Sequence, residues 1–347
     1  MKEQKNKNAT LKDIAKITGF STTSVSVVLN NKKNRIPESS KQRIIETAKK
    51  LGYHPNQIAV GLVKKKTCSI GLVIPDISNL FFATLTKSIE KECRILGYNV
   101  ILCCTEDTFA NSLSSIQLLS DKSVDGLILG MSIDMDLEKA NKCKDLLDSY
   151  NIPFITVDRY IKKLNCVSVI SDSTLGTYLG TKHLIENGHT KIACITGPTD
   201  LSGSQDRLNG VKKALIENQS ELLPENIVEG DYSLESGQKA FYKLKGKDIT
   251  AVFAFNGLMT YGFYREAKLN GVRIPEDLSL VGFDELFFIE MLETPITTVK
   301  QLVSEMGIQA ASTICAIIEK KNIDEEDVIL KPELIIRKSV KNLFNKE

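Results

Sequence analysis

Two sets of residues in this 347-residue chain have the types and spacing for recognition chemistry. The first is the stretch TLKDIAKITGFSTTSVSVVLN at 10–30, where Thr and Ser hydroxyls crowd beside a compact apolar stripe. The second is a series of polar residues that each close an apolar run: Pro75-Asp76, Asp158-Arg159, Ser171-Asp172, Asp231-Tyr232, Asn256 and Asp284. Carboxylates, amides and guanidinium groups at the ends of successive strands gather around a ligand when the strands form an open parallel sheet. Covalent catalysis finds no such support. No G-x-G-x-x-G follows the first apolar run and no G-x-x-x-x-G-K-[ST] occurs. His54, His183 and His189 are the only histidines, and no nucleophile–base pair stands out, so an enzyme is not expected. The eight cysteines, at 68, 93, 103, 104, 143, 166, 194 and 315, form no C-x-x-C pair. They read as buried thiols in a reducing cytoplasm, with no metal, no cofactor and no disulfide framework.

The elements that would position these residues follow from charge and periodicity. The net charge of +2 hides an asymmetry: residues 1–66 hold 15 Lys and Arg against 4 Asp and Glu, a net of +11, and the remainder holds 30 against 39, a net of −9. A basic head on an acidic body is the footprint of a nucleic-acid binder. MKEQKNKNAT precedes no apolar h-region, so no secretory signal is expected, and no run of 18 apolar residues suggests a membrane span. Within the head, Thr10 and Asp13 form a helix-start box. Leu11, Ile14 and Ala15 share a face, with Ile17 and Thr18 closing the helix and Gly19 turning the chain. Ser21 caps a second helix with Val25, Val28 and Leu29 inside. Pro37 opens a third, with Ile44, Ile45, Ala48 and Leu51 on its apolar side. QIAVGLVKKKT then reads as a short, marginal helix over 56–63.

From residue 69 apolar strands alternate with amphipathic helices. SIGLVIP, NVILCC, DGLILG and PFITVD make one series. VSVISD, KIACITG, NIVEGDY, AVFAFN and LSLVGFDE read as its restart. Near-continuous apolar strands with helical crossovers predict parallel sheets, and two series predict two doubly wound subdomains facing across a cleft.

In this order, residues 10–62 resemble the DNA-binding head and hinge of the LacI family of bacterial transcription regulators. Residues 69–340 resemble that family's effector-binding core, itself similar to periplasmic sugar-binding proteins. TLKDIAKITGFSTTSVSVVLN, YHPNQIAVGL, IGLVIPDISNLFF, VDGLIL, LIENGHTKIACITGP, GVRIPEDLSLVGFDE and TPITTVKQ carry the likeness. The fold implied is α/β: a helix-turn-helix head over 1–55, a hinge helix and linker over 56–66, and two doubly wound parallel-sheet subdomains of periplasmic-binding-protein type. These would be 67–166 plus 298–325 and 167–297 plus 326–347. The resemblance implies DNA contacts from Thr10, Thr22, Thr23, Ser26, Val27 and Asn30. Hydroxyls bond base edges or phosphates and the Thr methyl packs on thymine; the bland alternative for Thr22 and Thr23 is N-capping. Val27 stands where many members carry Arg. Asn56, Ala59 and Leu62 match the hinge, with Leu62 as a wedge in the minor groove.

For the core, the resemblance implies a sugar site built from Asn79, Phe81, Phe82, Asp158, Arg159, Arg207, Tyr232, Asn256, Asp284 and Gln301. The aromatic rings would pack on the ligand and the polar groups hold its hydroxyls. The bland alternative for Phe81 and Phe82 is helix start and core filling. Gly257 stands where many members carry Asp. The expected function is a cytoplasmic, homodimeric repressor of a pseudo-palindromic operator in double-stranded DNA. A small sugar effector, with a pentose such as ribose favoured, would modulate it, and no membrane is involved. The alternatives are a regulator that responds to a phosphoprotein partner and a sugar-binding receptor without a DNA role.

Overall fold

The computed structural model describes residues 9–30, 34–53, 66–321 and 326–344. It divides into two compact units, residues 1–67 and 68–347.

Among the described residues the first unit holds three helices, α1 (Leu11–Thr18), α2 (Thr22–Leu29) and α3 (Glu38–Lys50). Thr10 and Asp13 form a reciprocal capping box: the Thr10 N–H donates to Asp13 Oδ2 at 2.8 Å and the Asp13 N–H to Thr10 Oγ1 at 3.4 Å. Gly19, at φ 76°, ends α1 in the left-handed region, where a Cβ would be strained. Ile14, Val25, Val28, Ile44 and Ala48 are buried together, with Leu11, Ala15, Phe20 and Leu29 packed around them. Each fully buried aliphatic side chain contributes roughly 1.5–3 kcal/mol, so this small core depends on every one of them. Ile17 and Thr18 close α1; Thr18 is buried and its hydroxyl donates to the Ile14 carbonyl at 2.7 Å, while Ile17 is 54% exposed. The hinge residues Asn56, Ala59 and Leu62 lie outside the described residues.

The second unit carries two six-stranded sheets. Lobe 1 runs in the order β11-β5-β4-β3-β1-β2 and is parallel throughout. Its strands are β1 (Ser69–Ile74), β2 (Asn99–Cys104), β3 (Gly126–Leu129), β4 (Phe154–Val157), β5 (Ser168–Ser171) and β11 (Val328–Leu330). Helices α4 (Leu80–Ile95), α5 (Phe109–Asp121), α6 (Leu137–Ser149) and α11 (Val303–Ile318) cover it. Lobe 2 runs β12-β10-β9-β8-β6-β7, and only the edge pair β10–β12 is antiparallel. Its strands are β6 (Ile192–Thr196), β7 (Ile227–Glu229), β8 (Ala251–Ala254), β9 (Ser279–Phe283), β10 (Thr297–Lys300) and β12 (Glu333–Ile335). Helices α7 (Ser173–Glu186), α8 (Ser202–Glu217), α9 (Leu234–Leu244) and α10 (Gly257–Leu269) pack on its faces.

Three strands lie in the sheet opposite to the one their sequence position suggested. VSVISD does not restart the second series: β5 pairs with β4, with Thr156 opposite Ser168, and completes lobe 1. β10 sits beside β9 in lobe 2, although residues from 298 were expected in lobe 1. β11 returns to pair with β5, although residues from 326 were expected in lobe 2. Apolar periodicity marks a buried strand but carries no record of which sheet edge receives it. The chain therefore crosses between lobes three times: between β5 and α7, between β10 and α11, and between β11 and β12.

Candidate functional site

In the head, the second helix presents its first turn to solvent. Ser21, not Thr22 or Thr23, is the N-cap, accepting the Ser24 N–H at 3.0 Å. This removes the capping explanation for the two threonines, which are exposed and whose hydroxyls have no partner among the described residues. Ser26 and Val27 are half-buried one turn further on. Asn30 Nδ2 donates to the Ser26 carbonyl at 2.8 Å and to its hydroxyl at 3.2 Å, so these two polar side chains brace each other. The surface offers free hydroxyls at the N-terminal end of a helix, in a basic unit.

In the core, strand ends from both lobes converge. Asn79, Phe81, Phe82, Asp158, Arg159, Arg207, Tyr232, Asn256, Asp284 and Gln301 all line one cleft, with an empty volume of about 700 Å³ that includes its solvent-open mouth. Asp158, Tyr232 and Asp284 hold φ values of 64°, 65° and 74°. Left-handed backbone in non-glycine residues costs roughly 1–3 kcal/mol each and clusters at functional sites. Here it turns the chain immediately after β4 and β9 and three residues after β7, where the side chains enter the cleft.

The apolar and cationic groups stack. Phe81 and Phe82 start α4 and also wall the cleft, with ring centroids 5.2 Å apart and planes at 89°. The Arg159 guanidinium lies 5.6 Å from the Phe82 centroid and 5.5 Å from that of Tyr232. Arg207 lies 3.9 Å from the Phe283 centroid. Such cation–π contacts contribute about 0.5–2 kcal/mol, more when desolvated. Both guanidiniums also have protein acceptors. Arg159 Nη1 donates to Asp107 Oδ1 at 2.6 Å and to the Met131 carbonyl at 3.2 Å. Arg207 Nη1 donates to the Phe255 carbonyl and Nε to Ser173 Oγ at 3.4 Å.

The carboxylates differ. Asp284 accepts from Gln301 Nε2 at 2.6 Å, and burial raises its pKa despite Arg207 nearby. The Asp158 carboxylate has no hydrogen-bond partner among the described residues; desolvation pushes its pKa up to about 6, against the pull of Arg159 and Arg207. Ser171, 8% exposed, also lines the cleft with its hydroxyl unpartnered. A buried hydroxyl left without a partner is costly, and the half-buried Asp158 carboxylate beside it has none either, so both invite a hydrogen-bonding ligand. Asn256 caps α10, accepting the Met259 N–H at 2.8 Å, and donates to the Tyr232 carbonyl at 2.8 Å.

Sequence reasoning missed several members. Asp107 is an acceptor of Arg159; it stands three residues past the end of β2, so a strand-end search extended by one turn would have found it. Tyr160, Ser173, Leu201 and Gly203 complete the lining. Gly197 makes room for Tyr232: a Cβ there would lie 2.1 Å from Cζ of the ring. At Gly257 a Cβ would lie 2.6 Å from Leu286 Cγ, so Leu286 fills the space an Asp would need. No helix among the described residues is long and apolar enough to cross a membrane. Nor do the described His, Cys, Asp and Glu form a group that could hold a metal ion.

Comparison with known proteins agrees with this geometry. The model of bacterial regulatory proteins of the lacI family matches residues 10–56. That of periplasmic binding proteins and the sugar binding domain of the LacI family matches residues 67–342. The chain is 34% identical over 335 residues to the HTH-type transcriptional regulator DegA of Bacillus subtilis strain 168, spanning 96% of this chain and 98% of that protein. Among solved structures, the Lac repressor dimer bound to operator and the anti-inducer ONPF superposes with a TM-score of 0.87 at 25% identity, over 96% of this chain and 100% of that one. A LacI family transcriptional regulator from Enterococcus faecium with bound ribose superposes with a TM-score of 0.69 at 27% identity, over 79% and 99%.

Proposed function

The chain belongs to the LacI family and is a DNA-binding transcriptional regulator, and from that premise we propose a homodimeric, cytoplasmic repressor whose operator affinity is set by a small neutral sugar, a pentose such as ribose, held between the two lobes. The unpaired Asp158 carboxylate in a ring-walled cleft carries this reading. A sugar donates hydroxyls to Asp158 and Asp284 and accepts from Arg159, Arg207 and Gln301. Its apolar face packs on Phe81, Phe82 and Tyr232. Both guanidiniums already hold protein acceptors, which leaves little for a ligand anion and favours an uncharged one.

At the operator, Thr22 and Thr23 meet base edges from the start of the recognition helix, and two heads read two half-sites. Thr10, Ser26, Val27 and Asn30 flank that contact. Asn56 and Ala59 join it from the hinge, with Leu62 wedged into the minor groove. Val27 has no bidentate donor for guanine, so the half-site differs there from those read by Arg. Occupancy of the cleft and of the operator are linked: whatever factor the sugar imposes on DNA affinity, DNA imposes on sugar affinity.

A thermal-shift panel of pentoses and hexoses on the full chain tests the sensor. Ligand at about 100 times its Kd adds roughly 2.7 kcal/mol to stability, a clear rise in Tm. No shift with any sugar, in protein that still retains operator duplex in a salt-sensitive way, would remove the sugar from this reading.

A further inference from the structure

A clasp joins the lobes beside the cleft. The loop after β4 carries Asp158 and Arg159 into the cleft, then continues through Tyr160 to Lys162. Opposite it, α8 of lobe 2 begins. Lys162 Nζ pairs with Asp206 Oδ1 at 2.8 Å, and the Tyr160 hydroxyl donates to Asp206 Oδ2. The Lys162 backbone N–H adds a third bond, to Ser202 Oγ at 3.3 Å. The Asp206 side chain is 17% exposed, against 52% for Lys162, so the shared carboxylate is the sheltered partner. Burial and the Asp206 carboxylate together hold the Tyr160 phenol well above its ordinary range.

Asp206 does not line the cleft, but its chain neighbour Arg207 and its partner Tyr160 both do. One carboxylate thus ties the loop that presents Asp158 and Arg159 to the helix that presents Arg207. We propose that Asp206 is a positioning residue for effector binding: by clasping Tyr160 and Lys162 across the cleft it holds the lobes at the separation where ligand groups from both reach one molecule. This rests on the sugar reading of the cleft. It also makes a distinctive demand. A neutral sugar has no charge to screen, yet its affinity should fall with ionic strength, because the clasp it depends on is a partly exposed ion pair.

The test uses the full chain, with ribose as probe, and compares wild type, Asp206→Asn, Lys162→Ala and Lys162→Arg. Hydrogen exchange over residues 159–164 and 201–206 reports the clasp with no ligand present. Calorimetry at low and high salt reports affinity. Asp206→Asn is expected to speed exchange in both segments about tenfold, weaken ribose about tenfold and flatten its salt dependence. Lys162→Ala follows it, and Lys162→Arg restores wild-type behaviour. Exchange and ribose affinity both unchanged in Asp206→Asn would overturn the clasp and leave the sugar reading standing. Faster exchange in a chain whose wild type binds no sugar would overturn the sugar reading and leave the clasp as a lobe tether alone.

Discussion

The recognition helix and the cleft meet their targets in opposite ways. Thr22 and Thr23 stand exposed, their hydroxyls without a partner among the described residues, on a unit with a small core. Arg159 and Arg207 are already stacked on rings and bonded to protein acceptors, inside a frame of two six-stranded sheets. The first arrangement suits a large polyanion, where net positive charge supplies affinity and a few free hydroxyls supply choice. The second suits a small uncharged molecule, which brings little charge and must find its partners pre-arranged. The contrast teaches where each kind of energy resides: in the head it comes from the ligand's charge, and in the cleft from organisation present beforehand.

If the two regions are separable in this way, mutations should dissociate them. Arg207→Ala is expected to weaken sugar about 100-fold, since hydrogen bonds to a charged group are worth roughly 1.5–3 kcal/mol each, and to leave sugar-free operator affinity intact. The double variant Thr22→Val, Thr23→Val is expected to do the reverse, weakening operator about tenfold, within the roughly 1–3 kcal/mol of a base contact, with calorimetric sugar affinity unchanged. Calorimetry and duplex retention on both proteins check the pair; a loss of operator affinity in Arg207→Ala would break the comparison.

Gly197→Ala sharpens it with a smaller effect. The added methyl meets the Tyr232 ring, which must move, breaking its 2.6 Å hydrogen bond to Ser204. Overpacking costs typically 1–3 kcal/mol. Sugar affinity is expected to fall several-fold to tenfold, with a lower Tm by calorimetric scan and no change in operator affinity.

The smallest effect is in pH. Folding raises the pKa of Asp158 to about 6, so the folded chain takes up a proton there that the unfolded chain does not, between about pH 4 and 6. Ionised Asp158 in its buried site therefore costs stability as pH rises through 6. Sugar hydroxyls donate to the ionised form, so sugar affinity is expected to hold at pH 7 and fall about fourfold by pH 5.5, as the ionised fraction drops. Isothermal titration across this range checks it. Asp158→Asn should bind more weakly at pH 7 and lose the pH dependence.

Much of this architecture was legible because the physics is local. Ser21, Thr10 and Gly19 act within a few residues of where they stand, and the cleft residues announce themselves as polar ends on apolar strands. Asp107 escaped because β2 closes on Cys104 and the acid comes three residues later, after a turn through Glu106 and Asp107 with φ of 50° and 58°. The role of Gly197 escaped for a different reason: a glycine records that space is needed and not which ring needs it. The membership of β5, β10 and β11 was hidden because the strands nearest one side of each sheet are assigned by tertiary pairing, and an apolar run looks the same in either sheet.

Those three crossings have a mechanical consequence. Two bodies joined by one peptide segment can swing in many directions; joined by three roughly side-by-side segments, they are left with little more than rotation about a single shared axis. Whatever molecule fills the gap, its message can leave only as an angle.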